Sequence, residues 1–191
     1  MSDRRTALLT AAVQEIARTG TRGLRVEEVA KRANVSPALI YHHFGDRSTL
    51  LQSALEHVGD QADAYTSHNE GTGREVLLAV LVDEIQDDDA VRTNSTAWGE
   101  LRDSSIFDVT LRPTIESLTA RWVDDIAELI RTGQDDGSID PSIMPHEMGM
   151  CLSAIVEGFS ARWLTGILTT DQARNHLAAA VSLLVPATPG S

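Results

Sequence analysis

Apolar residues in this chain recur at helical spacing, and no stretch sustains the period-two alternation of a half-buried strand, which restricts the chain to an all-α fold. Leu9, Ala12, Val13, Ile16 and Ala17 mark one face of a first helix that Gly20 and Gly23 end. A short second helix is predicted from about Val26 to Ala33, with Glu27 and Glu28 in its first turn, where the helix dipole favours anions. Asn34 follows and tolerates the left-handed backbone of a tight turn. Ser36 and Pro37 then stand as N-cap and first residue of a third helix carrying Ile40 and Phe44 inward. Gly45 stops it, and Asp46 caps a longer helix with Leu50, Leu51, Ala54, Leu55 and Val58 on one side. Helical patterning continues to the end, with interruptions at 67–73, 87–89 and 133–141; Pro113 marks a first turn or a kink.

This organisation suggests a small N-terminal module at 1–47, a helical body at 48–185 and a frayed, disordered tail at 186–191. No apolar run approaches the roughly 18 residues that cross a bilayer. The start at Met1-Ser2-Asp3-Arg4-Arg5 lacks the apolar stretch of a secretory signal, so a cytoplasmic protein is expected. The lone Cys151, flanked by Met150 and Leu152, reads as a core residue in a reducing compartment.

A net charge of −12 argues at first against a nucleic-acid partner, but its distribution does not. Residues 1–50 hold eight basic and five acidic side chains, a balance of +3, and the remainder holds eight basic and 23 acidic, a balance of −15. Such asymmetry suits a chain whose first part approaches a polyanion. Two short helices joined by a brief turn form a helix-turn-helix pattern, although an ordinary helical hairpin would read the same way from these residues alone. The second of them leaves Ala38, Leu39, Tyr41, His42 and His43 near the surface, a phenol and two imidazoles suited to phosphate oxygens and base edges.

The run from Val29 to Phe44, Val-Ala-Lys-Arg-Ala-Asn-Val-Ser-Pro-Ala-Leu-Ile-Tyr-His-His-Phe, followed by Arg47 and Leu50, resembles the DNA-binding signature of TetR-type repressors over about the first 55 residues. The resemblance implies that Tyr41 and His43 contact DNA, that Arg47 binds phosphate and that Ser36 meets the backbone at the helix cap. Arg25, Pro37, Ala38, Leu39 and His42 complete the expected DNA-binding set. Arg25 stands where a capping Thr is common, Asn34 replaces a turn Gly, and Glu27 and Glu28 are acidic where some members are basic or neutral. Pro37, Ala38 and Leu39 offer no long polar side chain for bidentate base reading, so thymine-methyl contacts and DNA shape are expected to carry much of the specificity.

The segment from Glu147 to Leu168 is apolar on more than one face and needs more than one partner, a need that Ala173, Leu177, Ala180, Val181 and Leu184 repeat. These look like the last two helices of the TetR fold, which pair with their copies in a homodimer. Gly158, Ala161, Trp163, Leu164, Ile167, Leu177 and Val181 are the interface candidates, the alternative being that they fill the monomer core. Trp98, Phe107, Leu111, Ile115, Leu118, Trp122, Met148, Cys151, Ile155 and Phe159 are candidates to line an effector pocket, and each also reads as plain core. Glu100, Asp103 and Asp108 hint at a cationic ligand or form a solvated face.

No catalytic constellation or phosphate-cradling loop stands out, and the adjacent His42 and His43 lack the i, i+4 spacing of a metal pair, so no enzyme, metal or cofactor is expected. The expected function is a ligand-responsive repressor that binds a near-palindromic operator as a homodimer and is released by a small molecule. A helical small-molecule-binding or interaction protein that does not bind an operator is the alternative.

Overall fold

The computed structural model describes residues 3–65 and 70–188, leaving aside the side chains at 3 and 63–65. Among these residues the chain forms nine α-helices and no strand: α1 Asp3–Gly23, α2 Val26–Arg32, α3 Pro37–Phe44, α4 Arg47–Tyr65, α5 Gly73–Val82, α6 Asp89–Ser104, α7 Arg112–Asp135, α8 Pro145–Leu164 and α9 Thr170–Leu184. The all-α expectation therefore holds. So do the break at Gly20 (φ 72°, ψ 168°), the left-handed turn at Asn34 (φ 55°) and the first-turn placement of Pro113. No described helix is long and apolar enough to cross a membrane.

The chain divides into two compact units, and the cut is not at residue 47. The first unit comprises residues 1–62 and 92–118, the second 63–91 and 119–191. The reason lies in the cores. Leu50, Leu51, Ala54, Leu55 and Val58 of α4 join Leu8, Leu9, Ile16, Val29, Ile40 and Phe44 in one apolar cluster, to which Ala97, Leu101 and Leu111 also belong. The second core gathers Leu77, Leu81, Ile126, Ile130, Leu152, Trp163, Leu177 and Val181.

Backbone contact shapes the second unit. A Cβ on Gly73 would stand 2.2 Å from the Gly133 nitrogen, and one on Gly149 2.8 Å from the Val123 carbonyl oxygen. Only hydrogen at these positions permits α5 to meet α7 and α7 to meet α8 so closely. Capping boxes start α5 (Thr72 with Glu75) and α9 (Thr169 with Gln172), each satisfying two terminal donors. Arg174 on α9 reaches the end of α5, donating to the Val82 and Ile85 carbonyls at 3.1 and 2.8 Å and pairing with Asp83.

The structure departs from the sequence pattern at three places. The segment from residue 186 does not simply fray: Val185 is buried, its carbonyl accepts from Arg74 Nε at 2.9 Å, and Ala187 pairs with Ile139 in an antiparallel bridge. Residues 189–191 lie outside the described part. Cys151 is exposed rather than core, because the buried face of α8 runs through Gly149, Leu152, Ser153 and Val156. Phe107 is not on a helix at all. The chain leaves α6 at Ser104, and Asp108 caps a short 3₁₀ turn at Val109–Leu111 by accepting the Thr110 N–H at 3.0 Å, which leaves Phe107 78% exposed.

Candidate nucleic-acid interface

The turn between α2 and α3 follows from Asn34. With that residue left-handed, Val35 N–H reaches the Ala30 carbonyl at 2.9 Å and Asn34 N–H the Lys31 carbonyl at 3.2 Å, the paired bonds of a Schellman ending. Asparagine tolerates this conformation better than most side chains, so it fills the place of the turn glycine. Pro37 then opens α3 after Ser36, whose backbone is extended as an N-cap requires, although its hydroxyl makes no capping bond. Both residues are exposed.

Ile40 and Phe44, 1% and 4% exposed, fix α3 in the first core. The opposite face is thereby presented: Ala38, Tyr41 and His42 are exposed, Leu39 and His43 half-buried, and the two imidazoles meet edge-on with centroids 5.6 Å apart. Arg25 and Lys31 are exposed on the preceding segment.

The support beneath this helix is polar as well as apolar, and most of it was not legible in the sequence. Glu15 of α1 is 1% exposed and accepts from Arg18 at 2.6 Å and from Arg32, the last residue of α2, at 3.0 Å. The Arg18 bond lowers the carboxyl below its ordinary value against the opposing effect of burial, and Arg32 adds to it. The Arg5 guanidinium lies over the Phe44 ring, 5.1 Å from its centroid, and donates to Ser53 of α4 at 3.1 Å. Thr10 and the buried His57 of α4 are hydrogen-bonded at 3.2 Å, and burial lowers the imidazole pKa. Glu15 and Arg18 form an i, i+3 pair visible in the sequence; the contacts with Arg32, Ser53 and His57 span 17, 48 and 47 residues and carry no local signal.

Arg47 is exposed, and its guanidinium has partners within the protein. Its guanidinium donates to the carbonyls of Thr21 and, at 3.4 Å, Leu24, where α1 ends. It also lines a cleft of about 720 Å³ within the first unit, together with Arg18, Arg22, Glu100, Asp103 and Asp108. The three acids of the sequence reading thus share this cleft with arginines.

The remaining candidates divide between the two cores. Leu111 is buried and Trp98, Ile115 and Leu118 are half-buried against the first; Trp122, Met148, Ile155 and Phe159 are half-buried against the second. Of the expected interface residues, Trp163, Leu177 and Val181 are at most 1% exposed and fill the core of the second unit. The Trp163 indole N–H donates to the Thr170 hydroxyl at 2.9 Å, and that hydroxyl donates to Asp87. Leu164 and Gly158 are half-buried, while Ala161 and Ile167 are exposed. A helix about 10–12 Å wide, held from behind and carrying hydroxyl and imidazole groups on its free face, matches a major groove about 12 Å wide. The described residues contain no cluster of metal-ligating side chains.

A short helix joined to a second one by a tight turn, with its polar face outward, defines the helix-turn-helix class of DNA-binding proteins. The family model for bacterial regulatory proteins of the tetR family matches residues 8–54, and that for the C-terminal part of BetI-type transcriptional repressors matches residues 73–186, more than half of the chain. The chain belongs to the TetR family of transcriptional regulators, with a C-terminal region of the BetI type. It is 27% identical over 173 residues to the HTH-type transcriptional regulator BetI of Burkholderia mallei, covering 88% of this chain and 84% of that one. Among solved structures it is similar to a TetR-family transcriptional regulator from Rhodococcus sp., at 44% identity and a TM-score of 0.90 over 96% and 99% of the two chains. A transcriptional regulator from Saccharomonospora viridis, crystallised in complex with choline, is 26% identical with a TM-score of 0.81 over 97% of each chain.

Proposed function

We propose that this chain is a homodimeric repressor that reads a near-palindromic operator through paired α3 helices and leaves it when a small molecule binds. The exposed face of α3, with Tyr41 and His42 outward on a helix anchored by Ile40 and Phe44, is the observation that carries the reading. Apolar side chains left uncovered along α8, α9 and their connection support self-association: Met150 is 48% exposed, Ile167 71% and Leu183 82%. Glycine and alanine at 158 and 161 suit a close helix crossing on that side.

For the effector, a small organic cation of the choline type is the first candidate. The BetI-type match and the choline complex of a relative aligned over nearly its whole length favour it. Aromatic faces such as those of Trp122 and Phe159 attract quaternary ammonium groups.

Repeated selection of random duplexes by the wild-type protein should return a sequence with two half-sites about 34–36 Å apart. A pool that never enriches overturns operator binding. Sedimentation should give a dimer at micromolar concentration, and Ile167→Glu combined with Leu183→Glu should give monomers; a wild-type monomer would sink the dimer. Choline titrated against tryptophan emission should bind the free protein more tightly than the operator complex, by the same factor by which it weakens operator binding. Equal affinity for both forms removes choline as the releasing ligand.

A further inference from the structure

We propose that Arg47 is a positioning residue for operator reading, fastening the start of α4 to the carbonyl end of α1, and not a phosphate ligand. The proposal rests on the operator reading above and departs from what the family resemblance implies for a basic residue at this point of the chain. Arg47 is the first residue of α4, two residues beyond the left-handed Gly45 that ends α3. Whatever fixes its backbone therefore fixes the exit of the presented helix.

The guanidinium bridges two acceptors, the carbonyls of Thr21 and Leu24. They lie just past Gly20, where α1 leaves helical geometry. Thr21 is itself held: it is buried, and its hydroxyl is bonded to that of Ser104 on α6. Arg47 thus ties α4 to a segment already anchored to α6. A planar guanidinium sends diverging donors to two carbonyls at once, whereas an ammonium is a single point charge on a flexible stem.

One neighbouring carboxylate also disfavours a phosphate. Asp46 is exposed and keeps its carboxylate charged by accepting the Thr49 N–H at 2.8 Å, so the turn that holds Arg47 has a fixed negative charge beside it. The cleft that the guanidinium lines contains Glu100, Asp103 and Asp108 together with Arg18 and Arg22.

The test compares wild type, Arg47→Gln and Arg47→Lys, using the selected duplex and hydrogen exchange. In the free protein both variants should exchange the amides of residues 20–26 at least about tenfold faster while helical circular dichroism is unchanged. On the selected duplex both should lose about tenfold in affinity, with the slope of log K against log salt within about 0.3 of wild type. A phosphate ligand behaves differently: Arg47→Gln would flatten the slope by about 0.9, Arg47→Lys would restore binding, and exchange at 20–26 would not change. That pattern overturns the proposal. Should Arg47→Gln fail to fold, Arg47→Lys carries both measurements. If wild type selects no duplex, the operator reading fails, yet exchange in the free protein still decides whether Arg47 holds the segment, and unchanged rates there overturn the positioning role.

Discussion

The two units of this chain are held together by different means. In the first, α2 and α3 have 7 and 8 residues, so the few apolar side chains they bury, Val26, Val29, Ala30, Ile40 and Phe44, are supplemented by links to α1, Glu15 to Arg32 and Arg5 to Phe44, while Arg5 to Ser53 and Thr10 to His57 tie α1 to α4. In the second, α7 and α8 run 24 and 20 residues and are joined by apolar burial and by glycines that let backbones touch. A surface that must meet DNA at a set angle needs directional contacts, because apolar contact tolerates sliding that hydrogen bonds do not. A body held by a core of long helices can rely on area.

If that contrast holds, truncating an apolar residue in the second unit has the largest effect. Trp163→Ala should cost roughly 3–5 kcal/mol in urea unfolding, as expected for a fully buried indole. It should lower protomer stability even at concentrations where assembly is complete; a variant that only dissociates would return Trp163 to the interface. Next comes the buried carboxylate of the first unit. Glu15→Gln should cost roughly 1–2 kcal/mol near pH 7, between an exposed and a buried pair because the Arg18 and Arg32 side chains are 58% and 36% exposed. Since its pairing lowers the Glu15 pKa in the fold, the stabilisation is present above the ordinary carboxyl value of 4.5 and is lost as pH falls below it. Wild type and Glu15→Gln should therefore converge in stability toward pH 3, and a gap that stays constant with pH would remove the ion triad from the account.

Tyr41→Ala should weaken the selected duplex by about 1–2 kcal/mol, within the range of a base-edge contact, and random duplex by less. Equal losses on both would show that Tyr41 only positions the DNA backbone. His57 gives the smallest effect, about 1 kcal/mol or less. Burial lowers its pKa, so the unfolded chain takes up the proton first, and stability should fall as pH drops below the ordinary imidazole value of 6.5. His57→Gln should remove that part of the acid sensitivity between pH 6.5 and 5. An unchanged pH profile would mean that another group titrates there.

The sequence by itself determined the helical class, the ends of the first three helices and the class of protein, because each depends on residues within a turn or two of one another, whereas the break at 105–111 did not show in it. Gly20, Asn34, the Ser36-Pro37 start and the inward Ile40 and Phe44 stand in the structure as their spacing predicts. Family resemblance named the presented face of α3 for the same local reason. Tertiary structure alone decided the rest. Which side of α8 is buried depends on α7 and α9, so Cys151 is exposed and Trp163 buried although both sit in one apolar run. The unit boundary lies beyond α4 and takes in α6, because a core is assembled from segments forty or more residues apart. Local sequence gives Arg47 only its charge; that the carbonyls of Thr21 and Leu24, 26 and 23 residues earlier, lie within reach of its guanidinium is decided by the fold. A guanidinium takes whichever acceptors the fold brings to it, and that proximity is set by the packing of α1 against α4, which no local pattern encodes.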